Sequence, residues 1–440
     1  MPERKLFGTD GVRGVAGEFL GAELALRLGR AATLCSESDR PQVLIVRDTR
    51  ESGPMLEAAL AAGIAAAGVA AGGGDALLAG VLPTPGAPLL VRRYGFDLAA
   101  VVSASHNPYR DNGIKFFSAT GTKLGDEEEA AIEARLDDAA AGPIGRVRAL
   151  EGALADYLRE LRTSFPLELE GRTIALDCAH GATCRAAPAT FEALGAEVRA
   201  LGVEPDGRNI NEGCGSTHPE LLSERIGESG AEIGFAYDGD GDRVIAVDSE
   251  GRVHDGDELI ALAASHLADS GRLQGGVAVT VMTNYGFHKE MSRRGIEVAQ
   301  TPVGDRYVLE ELLGRGWTLG GEQSGHVIWT EFAPSGDGIA TSLLALTALG
   351  ERKLAEVEPF ERLPQRLENI EVADRGAIEG AERLWRAVEE ENSKLDGRGR
   401  VLVRPSGTEP LLRVMVEAPE EAERDAVLDH LVELARTELG

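Results

Sequence analysis

Cysteine is scarce, with four in 440 residues: Cys35, Cys178, Cys184 and Cys214. None form a Cys-x-x-Cys pair, which argues against a disulfide-stapled scaffold and predicts reduced thiols in a cytoplasmic protein. No apolar run is long enough, and free enough of charge and glycine, to span a bilayer. The alanine-rich stretch from Leu56 to Ala71 is broken by Gly63 and Gly68 and reads as a packed helix. No apolar segment of signal-peptide type follows Met1-Pro2-Glu3-Arg4, so no leader is expected. Basic residues are also in short supply: 45 Lys and Arg face 73 Asp and Glu, a formal net charge of −28. Solubility alone accounts for such a balance. It also repels nucleic acid and anionic membranes, so neither is expected as a partner. An anionic substrate could bind only where basic groups are concentrated locally.

What is present is a chain too long for one core, so two to four domains are expected. A weak internal repeat organises most of it. Val43–Val46, Thr173–Leu176 and Val277–Val281 are short apolar runs, each followed by a helical pattern. Each helix leads to a second run ending near a proline: Val81-Leu82-Pro83, Leu201–Pro205 and Val298–Pro302. A further helix leads to a third: Leu98–Val102, Ile233–Tyr237 and Trp317–Gly320. Strands alternating with helices predict mixed, mostly parallel sheets. From about Leu367 the pattern changes to a smaller α+β module: a strand at Ile370–Val372, a helix over Ala381–Lys394, strands at Arg400–Val403 and Leu411–Val416, and a helix over Glu421–Leu439. The predicted architecture is three similar α/β domains over 1–150, 151–252 and 253–366, plus a C-terminal α+β domain over 367–440.

The third run of each repeat ends in a chemically loaded loop: Ser103–Pro108, Asp238–Arg243 and Gly321–His326. In open α/β sheets ligands bind beyond the carboxyl ends of the strands, so the three loops could face one cleft. Asp238, Asp240 and Asp242 alternate with glycines, which lets all three carboxylates turn toward one ion. An EF-hand would need glycine at the sixth position and glutamate at the twelfth, where Arg243 and Ser249 stand. A merely solvated acidic turn fits poorly between the apolar runs on either side. Oxygen-only ligands suit Mg²⁺ better than zinc or copper, and a serine beside such an ion suggests phosphoryl transfer. Ser105 offers that hydroxyl, although Ser-His-Asn-Pro also reads as an ordinary turn. His106 is a poor base for it, because neighbouring side chains point apart in extended backbone.

Arg404-Pro405-Ser406-Gly407-Thr408, with Arg413 on the next strand, offers a guanidinium, two hydroxyls and an open backbone for an anion; a hairpin turn would read the same way. Gly8–Gly14 is a glycine-rich loop that lacks the P-loop lysine, and Arg13 within it is its notable cation. Lys115 and His326 are candidate acid–base groups, with surface or structural roles as the alternative.

In this order the motifs Ser-Ala-Ser-His-Asn-Pro, Asp-Gly-Asp-Gly-Asp-Arg, Gly-Glu-Gln-Ser-Gly-His and Arg-Pro-Ser-Gly-Thr-Glu-Pro resemble the α-D-phosphohexomutase superfamily over nearly the whole chain. Phe7–Gly14, Asn112–Phe117 and Gln323 are most similar to its bacterial phosphoglucosamine mutase branch. The resemblance implies four domains around a central cleft and Ser105 carried as phosphoserine. It implies Mg²⁺ held by Asp238, Asp240, Asp242 and a phosphoserine oxygen, with Arg13, Lys115, Arg243 and His326 as catalytic groups. Glu322 and Ser324 would bind sugar hydroxyls; Arg404, Ser406, Gly407, Thr408 and Arg413 would bind the phosphate not reacting. The implied reaction interconverts glucosamine 6-phosphate and glucosamine 1-phosphate through glucosamine 1,6-bisphosphate, feeding UDP-N-acetylglucosamine and cell-wall precursors. Phosphomannomutase or phosphoglucomutase activity, and a Mg²⁺-dependent phosphatase or a silent sugar-phosphate binder, are the alternatives. A homodimer is left open.

Overall fold

Runs of Val, Ile, Leu and Ala that are apolar on both faces need cover on both sides, and helices supply it here. The structure, a computed structural model, describes residues 6–8, 10–68, 73–139, 142–372, 375–405 and 411–439. One sheet holds β1 (Val12–Val15), β2 (Gln42–Arg47), β3 (Asp75–Val81), β4 (Leu98–Val102), β5 (Asp111–Ser118) and β6 (Val147–Ala149), in the order β1-β5-β4-β2-β3-β6. A second holds β7 (Thr173–Asp177), β8 (Glu197–Leu201), β9 (Ile233–Tyr237), β10 (Val244–Asp248) and β11 (Val253–His254), in the order β11-β10-β9-β7-β8. A third holds β12 (Val277–Thr280), β13 (Val298–Thr301), β14 (Leu319–Gly321) and β15 (Val327–Trp329), in the order β13-β12-β14-β15.

The repeat read from the sequence is a repeat of topology. Each sheet contains a parallel trio with its first strand in the centre: β3-β2-β4, β8-β7-β9 and β13-β12-β14. In each, the last strand of the trio turns back into an antiparallel partner: β5, β10 and β15. The three loaded loops are these three turns. The third parallel strand of the last repeat lies at Leu319–Gly321 rather than Trp317–Gly320; Trp317 is packed beneath the Arg315 guanidinium, 4.7 Å from its ring centroid.

The alanine-rich stretch does form a helix, but over Gly53–Ala65, and residues 69–72 lie outside the described part. Pro54 in its first turn favours the earlier start. Gly63 does not interrupt it. A β-carbon there would strike the Leu26 carbonyl, and one at Gly29 would strike that of Leu60. The two glycines therefore let the helices Ala22–Leu34 and Gly53–Ala65 meet backbone to backbone.

The chain divides into two compact units, Met1–Met282 with Glu297–Pro359, and Thr283–Ile296 with Phe360–Gly440. All three α/β sheets lie in the first. The second carries an antiparallel sheet of β16 (Gln365–Glu371), β17 (Arg400–Pro405) and β18 (Leu411–Glu417), in the order β16-β18-β17. Helices Glu382–Leu395 and Glu421–Leu439 accompany it, as the sequence predicts for an α+β module. Arg404 and Arg413 are direct partners across β17 and β18. Among the described residues no helix is long and apolar enough to cross a membrane.

Candidate active site

Ser105 sits on the turn between β4 and β5 and is 2% exposed. Its backbone is left-handed, with φ of 50°. Its Oγ donates to Asp238 Oδ2 at 2.5 Å, so the first two loaded loops meet directly. The left-handed turn also corrects the sequence reading of His106. With Ser105 out of extended backbone, His106 Nδ1 comes to 3.5 Å from Ser105 Oγ. It still cannot serve as the base, because Arg243 Nη1 donates to the same nitrogen at 3.1 Å and occupies its lone pair. Burial, then Arg243 and Arg13, push the His106 pKa down, so the ring is neutral.

Asp238, Asp240 and Asp242 are 1%, 1% and 5% exposed, and an oxygen from each lies within 4.8 Å of the others. Gly239 makes the approach possible: a β-carbon there would stand 2.6 Å from the Ser105 carbonyl oxygen. Three buried carboxylates without a cation cannot all stay charged at no cost. Burial, then Asp242 and Asp240, push Asp238 well above the usual carboxylate range. Burial acts on Asp240 in the same sense but is outweighed by Lys115, with Thr84 adding a hydrogen bond, and Asp240 is held low. Oδ1 of Asp240 and Oδ1 of Asp242 are buried with no hydrogen-bond partner among the described residues. Orphaned acceptors in an all-oxygen cluster are what a hard divalent cation would satisfy, so the residues fit one.

Lys115 lies on β5, 2% exposed, with Nζ 3.1 Å from Asp240 and 3.5 Å from Asp10. Burial would lower its pKa, but Asp10, Asp240 and Asp242 together raise it, and the side chain is held as a cation. His326 ends the third loop, 2% exposed, with Nδ1 3.7 Å from Asp242 and Nε2 3.7 Å from Asp305. Burial lowers its pKa, and Asp242, Asp305 and Glu322 more than offset that. The Gly336 amide donates to Nε2 at 3.1 Å, so the neutral ring carries its proton on Nδ1, facing Asp242.

His106, Asp242, Asp305 and His326 line a cavity of about 570 Å³ that also takes in Arg13, Arg243 and Glu322, while Ser105, Asp238, Asp240 and Lys115 are not among its lining residues. Arg13 is paired with Asp10, and Glu322 Oε1 accepts from the Gly304 amide at 3.0 Å. Ser324 is exposed on the turn beside Glu322 and is not among the lining residues. Gln323 turns away and donates to Asp255 Oδ2 at 3.1 Å. The Val244 amide donates to the Gly325 carbonyl at 3.1 Å, tying the third loop to the second. Arg404 and Arg413 lie in the second unit, where burial and then Arg413 lower the pKa of Arg404. Ser406, Gly407 and Thr408 lie outside the described residues.

The sequence reading missed the residues that hold these groups in place. Lys123, 16% exposed, is paired with Asp10 and, at 2.5 Å, with Asp305. Asp305 is held down to about 2; burial opposes this and is outweighed by Lys123. Thr84 Oγ1 donates to Asp240 Oδ2 at 2.6 Å. Asp48 and Arg50 form an ion pair at 2.8 Å with both side chains wholly buried. Breaking such a pair costs about 3–5 kcal/mol. The one signal was Asp48-Thr49-Arg50 directly after an apolar strand, a charged run where a solvent loop and a buried brace read alike.

Four family models match the chain: Phosphoglucomutase/phosphomannomutase, alpha/beta/alpha domain I at residues 4–142, domain II at 155–251, domain III at 255–366, and the C-terminal domain at 367–434. Among curated relatives, the phosphoglucosamine mutase of Moorella thermoacetica is 49% identical, covering 98% of this chain and 99% of the relative. That of Cereibacter sphaeroides is 46% identical, covering 98% of each. Among solved structures, a phosphoglucomutase/phosphomannomutase family protein from Burkholderia thailandensis matches with TM-score 0.82 at 25% identity, covering 100% of this chain and 98% of that one. Aspergillus fumigatus N-acetylphosphoglucosamine mutase, solved with GlcNAc-6P and magnesium, shares the fold with TM-score 0.69 at 17% identity, covering 100% and 96%.

Proposed function

The chain belongs to the phosphoglucomutase/phosphomannomutase family, and we propose that it is an isomerase interconverting glucosamine 6-phosphate and glucosamine 1-phosphate. The observation that carries this reading is the hydrogen bond from Ser105 Oγ into the Asp238, Asp240, Asp242 cluster, which puts a nucleophile against a cation site. The amino-sugar substrate is proposed from the phosphoglucosamine mutases that this chain matches over almost its full length.

In this reading Ser105 works as a phosphoserine, which brings about −1.5 to −2 charge beside the carboxylate cluster. Asp238, Asp240 and Asp242, with a phosphoserine oxygen, would hold Mg²⁺, which when bound supplies neutralisation of the charge on the moving phosphoryl group. Arg243 and Arg13 supply fixed positive charge from the cavity wall. The sugar phosphate offers its free hydroxyl; as phosphorus leaves Ser105 Oγ for that oxygen, the hydroxyl proton passes to a base. The two candidates are Lys115, held as a cation among three carboxylates, and His326, whose neutral ring is protonated on Nδ1 and accepts from the Gly336 amide on Nε2, so either gives up a partner before it takes the proton. While charged, Lys115 supplies positive charge beside the transferring group. The resulting glucosamine 1,6-bisphosphate turns over, its other phosphate returns to Ser105, and the proton is given back. Glu322 and Ser324 would bind the sugar hydroxyls in both poses. Arg404, Ser406, Gly407, Thr408 and Arg413 would hold the distal phosphate.

One assay tests the reading. Glucosamine 6-phosphate is supplied with catalytic bisphosphate, and 1-phosphate and free phosphate are both quantified. Isomer without free phosphate is expected. Free phosphate alone would make the protein a hydrolase, and neither product would make it a binding protein.

A further inference from the structure

A left-handed serine is held by something, because side chains other than glycine adopt φ near 50° only where their surroundings impose it. The Ser105 peptide groups are clamped from both sides. Its N–H donates to Ser103 Oγ at 3.0 Å. The Ser103 hydroxyl donates to Asp48 Oδ2 at 2.6 Å, and Arg50 Nε donates to the same oxygen at 2.8 Å. Arg50 Nη2 then donates to the Ser105 carbonyl at 2.9 Å. These four contacts form a closed ring that begins and ends on the nucleophile.

The rest of the Arg50 guanidinium is spent on the same loop. Nη2 also donates to the Asn107 carbonyl at 2.8 Å, and Nη1 to the carbonyls of Asp111, at 3.0 Å, and Pro108. A planar fork of five N–H donors can span carbonyls that face inward from a tight turn, which a single ammonium cannot do. Asn211 Nδ2, on a loop of the second sheet, adds a second donor to the Ser105 carbonyl at 3.0 Å. Arg50 has no exposed surface and is absent from the cavity lining.

We infer that Arg50 is a positioning residue for the reaction. It fixes the left-handed turn that aims Ser105 Oγ at Asp238, and it acts through the backbone without touching substrate. This rests on Ser105 being the nucleophile. The Asp48 pair neutralises the guanidinium, so the device supplies geometry and not net charge.

The test is Arg50→Lys, which keeps a cation beside Asp48 but cannot span the carbonyls. Two readouts are used: kcat and KM with glucosamine 6-phosphate, and amide hydrogen exchange without substrate. We expect kcat to fall at least about tenfold with KM within about twofold, and exchange to quicken in the segment 103–111 while the second sheet keeps its protection. An unchanged kcat, unchanged exchange in that segment, or quickened exchange throughout the sheets would each overturn the inference. If Arg50→Lys shows no cooperative unfolding transition, Ser103→Ala carries the test, since it opens the ring without stranding a charge. It should quicken exchange in the same segment and lower kcat, and failure of either overturns the inference. A wild type that does not interconvert the sugar phosphates would overturn the proposed function alone, because the exchange comparison needs no substrate.

Discussion

Ser105 Oγ donates to Asp238 Oδ2 at 2.5 Å, joining the proposed nucleophile on the first sheet to the first carboxylate of the cluster on the second. The bond can exist only while the serine is unmodified, because a phosphorylated oxygen has no proton to give. On the proposed reading, phosphorylation would set a dianion beside the Asp238, Asp240 and Asp242 cluster, and a cation among them would offset the repulsion. Occupancy of Ser105 and of the carboxylate cluster would then be linked through this one contact.

Ser105→Ala should abolish nearly all interconversion while the protein melts as the wild type does. Intact-mass analysis of the wild type should show a fraction heavier by one phosphate, absent from the variant. Phosphate mapped to Ser103, which is 1% exposed and engaged with Asp48, would overturn the assignment.

Asp240→Asn keeps the shape of the side chain but removes one charge from the cluster. The rate should fall on the order of a hundredfold, about 2.7 kcal/mol of barrier. Wild-type activity should vanish in EDTA and return with Mg²⁺, and zinc should restore it poorly because no soft ligand is present. Full activity in excess chelator would remove the cation from the reading.

Asp337 predicts a pH effect on stability. Its carboxylate caps the helix Gly338–Leu349, accepting from the Ala340 amide and from the Tyr157 hydroxyl, each at 2.9 Å. Burial lifts its pKa from 3.8 to about 6. The fold thus favours the protonated form, and above about pH 6 it bears the cost of the charged one. This cost is relieved as pH falls from about 6 toward 3.8. Between about pH 7.5 and about pH 5 the wild type should gain about 1 kcal/mol relative to Asp337→Asn. Denaturant titrations of both proteins at the two pH values check this, and a difference that stays constant would refute it. Asp305, held down to about 2, acts in the opposite sense but only below that window.

Arg413→Ala should lower kcat/KM, losing about 1.5–3 kcal/mol for a charge-assisted phosphate contact. The discriminating measurement is release of the bisphosphate. Without its distal anchor the intermediate should escape before it turns, leaving Ser105 unphosphorylated, and added bisphosphate should partly rescue the rate. A slower enzyme with no extra release and no rescue would show that Arg413 does not retain the intermediate.

The three loaded loops were legible in the sequence because each is local. Asp238, Asp240 and Asp242 need only alternation and glycine to converge, and Ser105 needs only its neighbours to be recognised. The strand runs were legible for a related reason: strands covered on both faces must be apolar throughout, as Leu98–Val102 and Ile233–Tyr237 are. Other features came only from the fold. The sequence treats Ser105 as part of an extended or turned segment. Its φ of 50° is imposed by Arg50, 55 positions earlier in the chain, and by Asn211, 106 positions later. That geometry brings His106 Nδ1 within 3.5 Å of Ser105 Oγ, which an extended backbone forbids. Charge state was decided at the same level. Lys115 reads in the sequence as a candidate acid–base group and Lys123 as no candidate at all, and each becomes a fixed cation because loops remote in sequence set carboxylates around it in a place water barely reaches. Sequence spacing determined which groups could act, since covalent neighbours fix local convergence. Tertiary packing decided their orientation and ionisation, since both depend on the partners and the dielectric that only the folded chain supplies.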